Sequence, residues 1–171
     1  MKNLMAVAKK CMKILDSLNI DYDKDTEFSI NYRARKRFGQ AKYDRNTDTH
    51  SINIASGLFY DEVPDKAIET VMLHELLHTV PNCMNHGKKW QSLANKVNKE
   101  FFYKITTTNT TEDYNLTGRS KEFFTPKKTY KYAIQCADCG KIYKKQRMCD
   151  CIRFPELYHC GVCGSKLNRI Y

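Results

Sequence analysis

The first eighteen residues place Leu4, Val7, Ala8, Cys11, Ile14, Leu15 and Leu18 three and four positions apart, with lysines between them. That spacing predicts an amphipathic helix over 1–18 whose apolar stripe covers a sheet. From 28 to 55 the period shortens: Phe28, Ile30 and Tyr32, then Gly39 to Tyr43, then Ser51-Ile52-Asn53-Ile54 read as short strands. The polar run Asp44-Arg45-Asn46-Thr47-Asp48 supplies a turn before the last of them. Pro64 and Asp65 suit the first turn of a second helix, and Pro81-Asn82 ends it. Ala67, Ile68, Val71, Met72, Leu73, Leu76, Leu77 and Val80 make that helix apolar on nearly every side, which predicts burial. Trp90, Leu93, Ala94, Val97 and Phe101 write a third helix over 87–104. Residues 106–128 are polar without sustained period and read as a linker. The fold class is therefore α+β: a small three-stranded sheet packed by three helices, spanning 1–105, and a separate C-terminal segment, 129–171.

A chain of 171 residues suits one main domain and a small appendage. Its net charge of +10 is unevenly spread: 11 basic against 7 acidic residues over 1–60, 6 against 6 over 61–105, and 12 against 6 over 106–171. A neutral middle between basic flanks points to a partner that carries phosphates and is met outside the reaction centre. The apolar run from Leu4 to Ala8 stops at Lys9-Lys10, too soon for a signal peptide, and no stretch is long enough to span a bilayer. The expectation is a cytoplasmic protein with no membrane partner, nucleoid-associated if bacterial. Four of the eight cysteines form two Cys-x-x-Cys pairs, which favours reduced, metal-binding thiols over disulfides.

The neutral middle contains His74-Glu75-Leu76-Leu77-His78. Histidines four apart share one helix face, and a glutamate beside them is placed to hold a water against a metal. Two imidazoles and a carboxylate are costly to bury, and a bound cation offsets that cost. Catalytic zinc ordinarily takes three protein ligands and leaves one position for water. His86 is the candidate third ligand, ranked well above Glu100 on the third helix. The metzincin pattern is excluded, because it requires glycine and histidine where this chain has Pro81 and Met84. His50 has no partner by spacing and reads as an ordinary surface or packing histidine.

Cys136-x-x-Cys139 and Cys160-x-x-Cys163 stand twenty residues apart, each followed by a glycine, Gly140 and Gly164. Four such thiolates close a tetrahedral structural zinc site. A segment of this size builds little core, so the metal carries much of its folding free energy. Cys149 and Cys151 are read as spare thiols rather than a swapped ligand or a redox couple, and His159 as no ligand. Lys141, Lys144, Lys145 and Arg147, with Tyr143 among other rings, form the combination of cations and stacking surfaces that single-stranded DNA requires. Arg33, Arg35, Lys36 and Arg37 form a second basic cluster near the sheet.

HELLH, a short loop and then HGKKW, with Gly39-Gln40-Ala41-Lys42-Tyr43-Asp44 upstream and the cysteine pairs downstream, resembles the SprT-like zinc metalloproteases. The resemblance implies a zincin-like domain and a C-terminal zinc ribbon. It implies one catalytic zinc on His74, His78 and His86, Glu75 as catalytic base, and one structural zinc on the four cysteines. It further implies an endopeptidase acting on DNA-associated proteins such as DNA–protein crosslinks. Two rivals remain: a non-proteolytic nucleic-acid-binding module that contains zinc, and a zincin for soluble proteins that uses the ribbon for protein docking.

Overall fold

Asn3 starts the first helix by accepting the Ala6 amide on its side-chain oxygen at 3.0 Å, satisfying one of the donors that a helix start leaves free. This computed structural model describes residues 2–125 and 129–171. Met1, the predicted start of that helix, and 126–128, the end of the predicted linker, lie outside the described residues. Helix α1 (Leu4–Ser17) buries Ala8, Cys11, Ile14 and Leu15. Its stripe packs mainly on α2 and less on the sheet, chiefly at β1, a shift from the expected sheet cover. The cause is polar as well as apolar. Glu69 of α2 is 6% exposed and takes Lys10 Nζ at 2.6 Å, while its carbonyl accepts the Cys11 thiol at 3.6 Å. A buried carboxylate demands partners, and α1 supplies one.

The three strands form as predicted: β1 (Glu27–Asn31), β2 (Gly39–Asp44) and β3 (Thr49–Ala55). Their order is β1-β3-β2, with β3 parallel to β1 and antiparallel to β2. Central β3 buries Ile52, Ile54 and Ala55 against the helices, while β2 is an edge. Asp44 Oδ1 accepts the Asn46 amide at 2.9 Å and Asp48 takes a left-handed conformation, which closes the β2–β3 turn.

Helix α2 (Asp65–Leu77) buries ten of its thirteen residues, so it is the axis of the domain rather than a surface element. Helix α3 (Lys88–Phe101) buries only Trp90, Ala94 and Val97, one face of an amphipathic rod. It ends three residues before the predicted limit, because Phe102 turns left-handed and Asn98 folds the chain back. The Asn98 side chain accepts the Ile105 amide at 2.7 Å and donates to the Ile105 carbonyl at 2.9 Å.

The predicted linker is corrected through Thr125: this stretch belongs to the first of two compact units, which divide at 126/127. Tyr114, Leu116 and Phe123 are buried, and the short helix α4 (Gly118–Phe124) docks beside Gly57. Ser120, fully buried, donates its hydroxyl to the Gly57 carbonyl at 2.7 Å. Phe38 holds Tyr114 edge-on at 4.9 Å and Phe124 at 4.6 Å, and the Arg35 guanidinium lies 3.6 Å over the Phe123 ring. Scattered aromatics, not a periodic stripe, attach this segment.

The second unit is an antiparallel sheet of β4 (Tyr132–Cys136), β5 (Ile142–Lys145) and β6 (Leu167–Arg169), ordered β5-β4-β6, with the short helix α5 (Asp150–Arg153). Its buried cluster is Ile134, Cys136, Ile152, Cys160 and Leu167, a core of which two members are thiols. A zinc ribbon on a small antiparallel sheet fits this unit. Among the described residues no helix is long and apolar enough to cross a membrane.

Candidate metal centres

The last turn of α2 carries His74 and Glu75, His78 caps its end, and the loop before α3 brings His86 back to them. That loop is tied down by the Cys83 amide on the Val80 carbonyl at 3.0 Å and by Lys89 Nζ on the Pro81 carbonyl at 2.8 Å. Trp90, 1% exposed, supports all three imidazoles, with ring centroids 4.8, 5.4 and 4.5 Å from His74, His78 and His86.

The three Nε2 atoms lie 3.3 Å (His74–His78), 3.2 Å (His78–His86) and 3.0 Å (His74–His86) apart. His78 Nδ1 stands 2.8 Å from the Cys83 carbonyl, and His74 Nδ1 stands 3.1 Å from the Thr106 carbonyl. A carbonyl only accepts, so both Nδ1 atoms carry the proton and both Nε2 lone pairs point inward. Burial, then the neighbouring His78 and His86, push His74 down to about 3, and burial lowers His78 and His86 as well. Neutral imidazoles with converging lone pairs repel unless a cation lies among them. A tetrahedron of 2.0–2.1 Å Zn–N bonds has edges of about 3.3 Å, close to this triangle. The donor set fits zinc.

Glu75 is 7% exposed, and burial pushes its carboxyl up to about 7 against the opposing pull of the Ala41 amide and Arg37. Its Oε2 accepts the outward-facing Ala41 N–H of edge strand β2 at 2.8 Å. Gly39 packs against the same carboxylate. Glu75 and His74 line a cleft of about 360 Å³ together with Lys36, Arg37, Thr107, Asn109 and Tyr114. Sequence reasoning missed Thr106, Asn109 and Tyr114. The apolar residues Tyr114, Leu116, Phe123 and Phe124 within the supposed linker were the available signal. Glu100 is exposed on α3 and joins no candidate metal group.

The four cysteine sulfurs lie within 4.8 Å of one another, with Cys136–Cys163 at 3.3 Å and Cys139–Cys160 at 3.6 Å. Gly140 and Gly164 are left-handed, and the Cys139 and Val162 amides face the Cys136 and Cys160 sulfurs at 3.5 Å. The Tyr143 hydroxyl, 3.2 Å from Cys160 Sγ, is the chief cause holding that thiol at about 6, which favours the thiolate that binds a metal. Tyr143 thus serves the cysteine cluster. Lys141, Lys144, Lys145 and Arg147 are all exposed, as are Tyr130, Phe154 and Tyr158. Cys149 and Cys151 lie 3.2 Å apart, outside the four-sulfur cluster, and His159 belongs to neither metal group. His50 does have a partner, Asp23 Oδ2, 2.7 Å from its Nδ1.

Comparison with known proteins agrees with this geometry. A curated relative described as Protein SprT-like, from Bacillus velezensis, is 47% identical over 47 residues, a stretch that spans 28% of this chain and 28% of the relative. The family model of the SprT-like family matches residues 8–112, which include the histidine triad and Glu75. With the model covering more than half of its length, the chain belongs to the SprT-like family.

Proposed function

We propose that this protein is a zinc-dependent endopeptidase that acts on proteins associated with DNA. The observation that carries the reading is the convergence of three imidazole Nε2 atoms beside a buried carboxylate that opens on a cleft. His74, His78 and His86 hold the catalytic zinc, and the four cysteines hold a structural one. Zinc, when bound, lowers the pKa of water toward 7 and polarises the scissile carbonyl. Glu75 accepts the proton of the attacking water and returns it to the leaving amine. The Ala41 amide keeps its Oε2 in place for both transfers.

The exposed Lys141, Lys144, Lys145 and Arg147 give the ribbon a surface suited to a phosphate backbone, with Tyr130, Phe154 and Tyr158 available for stacking on bases. Single-stranded DNA held there concentrates the enzyme on DNA-bound proteins. The test is cleavage of casein and of a DNA-binding protein by parent and Glu75→Gln, with and without single-stranded DNA, in a salt series. The expected result is cleavage by the parent alone, faster with DNA, and DNA affinity that falls steeply with salt. An inactive parent that binds DNA favours the non-proteolytic module. An active parent that ignores DNA favours a zincin for soluble proteins.

A further inference from the structure

Cys149 and Cys151, which the sequence leaves as spare thiols, form a pair in the structure. Their sulfurs lie 3.2 Å apart across a single intervening residue, Asp150, and both side chains pack half-buried on the apolar cluster of the second unit. The backbone that holds them is already fixed. The Cys149 carbonyl accepts the Ile152 amide at 2.9 Å and the Arg153 amide at 3.0 Å, and Ile152 is fully buried. Two sulfurs held this way by a settled turn need to close by only about 1 Å to reach the S–S bond length of about 2.05 Å.

The other cysteines are committed elsewhere. Cys136, Cys139, Cys160 and Cys163 form the four-sulfur cluster, while Cys11 and Cys83 are fully buried, the Cys11 thiol donating to the Glu69 carbonyl. Cys149 and Cys151 escape both fates, since they stand outside the cluster and within reach of solvent. Nor are they placed to act as a structural staple. A disulfide stabilises chiefly through the loop it closes, and the entropy removed grows with loop length, so a bridge over one residue contributes little. Accessible bridges of this kind are the ones readily reduced again.

We propose that Cys149 and Cys151 are a reversible oxidation site, a dithiol that a peroxide converts to a disulfide while the four-cysteine cluster stays intact. One of the two sulfurs, as thiolate, attacks a peroxide oxygen; the O–O bond breaks, a sulfenic acid forms, and the other oxygen leaves as hydroxide, which takes up the proton that the thiol released. The neighbouring thiol then attacks the sulfenic sulfur. The S–S bond forms as the S–O bond breaks, and the oxygen leaves with the second thiol's proton as water. In sum the two thiols give up two electrons and two protons, and hydrogen peroxide is reduced to two waters. A dithiol reductant restores the pair by exchange through a mixed disulfide.

The test is titration of the full, zinc-loaded chain with hydrogen peroxide, read by mass spectrometry, zinc analysis and amide hydrogen exchange. The parent should lose two hydrogens, mapped to a Cys149–Cys151 bridge, regain them with dithiothreitol, and keep its zinc content throughout. Exchange at the Ile152 and Arg153 amides should slow, because the bridge removes open forms of the turn that begins at Cys149. Cys149→Ser and Cys151→Ser leave the metal cluster untouched; each should retain zinc and stop at a sulfenic acid that a cyclic dione traps. Zinc lost before the bridge forms, or together with it, would overturn the assignment, since the cluster is then the reactive group. So would two thiols still open to alkylation after peroxide, or the same loss of two hydrogens in either serine variant. Faster exchange at Ile152 and Arg153 would also overturn it, because the bridge then requires the turn to open. None of these readouts depends on peptidase activity.

Discussion

Gly39 lies so close to Glu75 that a Cβ at position 39 would stand 2.7 Å from Oε1, 2.8 Å from Cγ and 3.0 Å from Cδ. Strand β2 cannot retreat freely, because the Ala55 amide bonds the Phe38 carbonyl at 2.8 Å. The carboxylate must move instead. Gly39→Ala is expected to pull Glu75 from the Ala41 amide, lower peptidase kcat by about 10- to 100-fold, and cost roughly 1–3 kcal/mol of stability. Zinc content should be unaltered, as no imidazole is touched. Kinetics beside metal analysis check this, and full activity in Gly39→Ala would contradict the close packing.

Gly57 faces an analogous limit where α4 docks. An added Cβ there would stand 2.4 Å from Phe123 Cδ1. Gly57→Ala should loosen α4, destabilise the first unit by roughly 1–3 kcal/mol, and speed proteolytic cutting within 106–125. If cutting there is as rapid in the parent as in the variant, the segment is a linker after all.

The second unit has only five residues in its buried cluster, two of them cysteines. Structural zinc contributes about 10–16 kcal/mol of binding free energy in comparable sites, far more than such a core supplies. Cys139→Ser, or a strong chelator, should therefore abolish dispersed amide NMR signals from 129–171. With Cys139→Ser the zinc content should fall from two per chain to one, and signals from α2 and the sheet should persist. Retention of a dispersed ribbon spectrum without metal would refute the dependence.

Asp23 and His50 give the first unit an acid-sensitive contact. Partial burial alone would raise the Asp23 carboxyl, but hydrogen bonds from the His50 ring and from the Asp25 and His50 amides outweigh it and leave the group below the usual carboxylate range. A folded-state pKa depressed in this way adds stability at pH values above the unfolded carboxyl's pKa, and loses it as pH falls through the lower folded value. Asp23→Asn should cost roughly 1–2 kcal/mol near neutrality. The gap between variant and parent should close in acid below about pH 4. Urea titrations across pH measure it, and a gap that widens in acid would reverse the sign argued here.

Elements with a strong local signal were legible in the sequence: α1, α3 and the strands by their spacing, and α2 as an apolar run bounded by Pro64 and Pro81. The histidine triad and the cysteine cluster were legible because ligand chemistry restricts both residue type and interval, as His74, His78 and His86 illustrate. Residues 106–125 were not. Their anchors, Tyr114, Leu116 and Phe123, fit no helical or strand period and dock on partners far back in the chain, such as Phe38 and Gly57. The placement of α1 also escaped the pattern, since an apolar stripe does not reveal whether a helix or a sheet covers it; the buried Glu69 decides. His50 found Asp23 across twenty-seven residues, a pairing that no spacing rule contains.

His74 and His78 are both oriented by main-chain oxygens, those of Thr106 and Cys83. A carbonyl is present whatever side chain follows, so the two positions can vary in identity while the imidazoles keep their tautomer and direction. What they cannot absorb is a change in the number of residues between each ligand and its acceptor. The centre is therefore tolerant of substitution at these supports and intolerant of insertion or deletion in the loops that carry them, so that loop length, rather than composition, guards the geometry of the metal site.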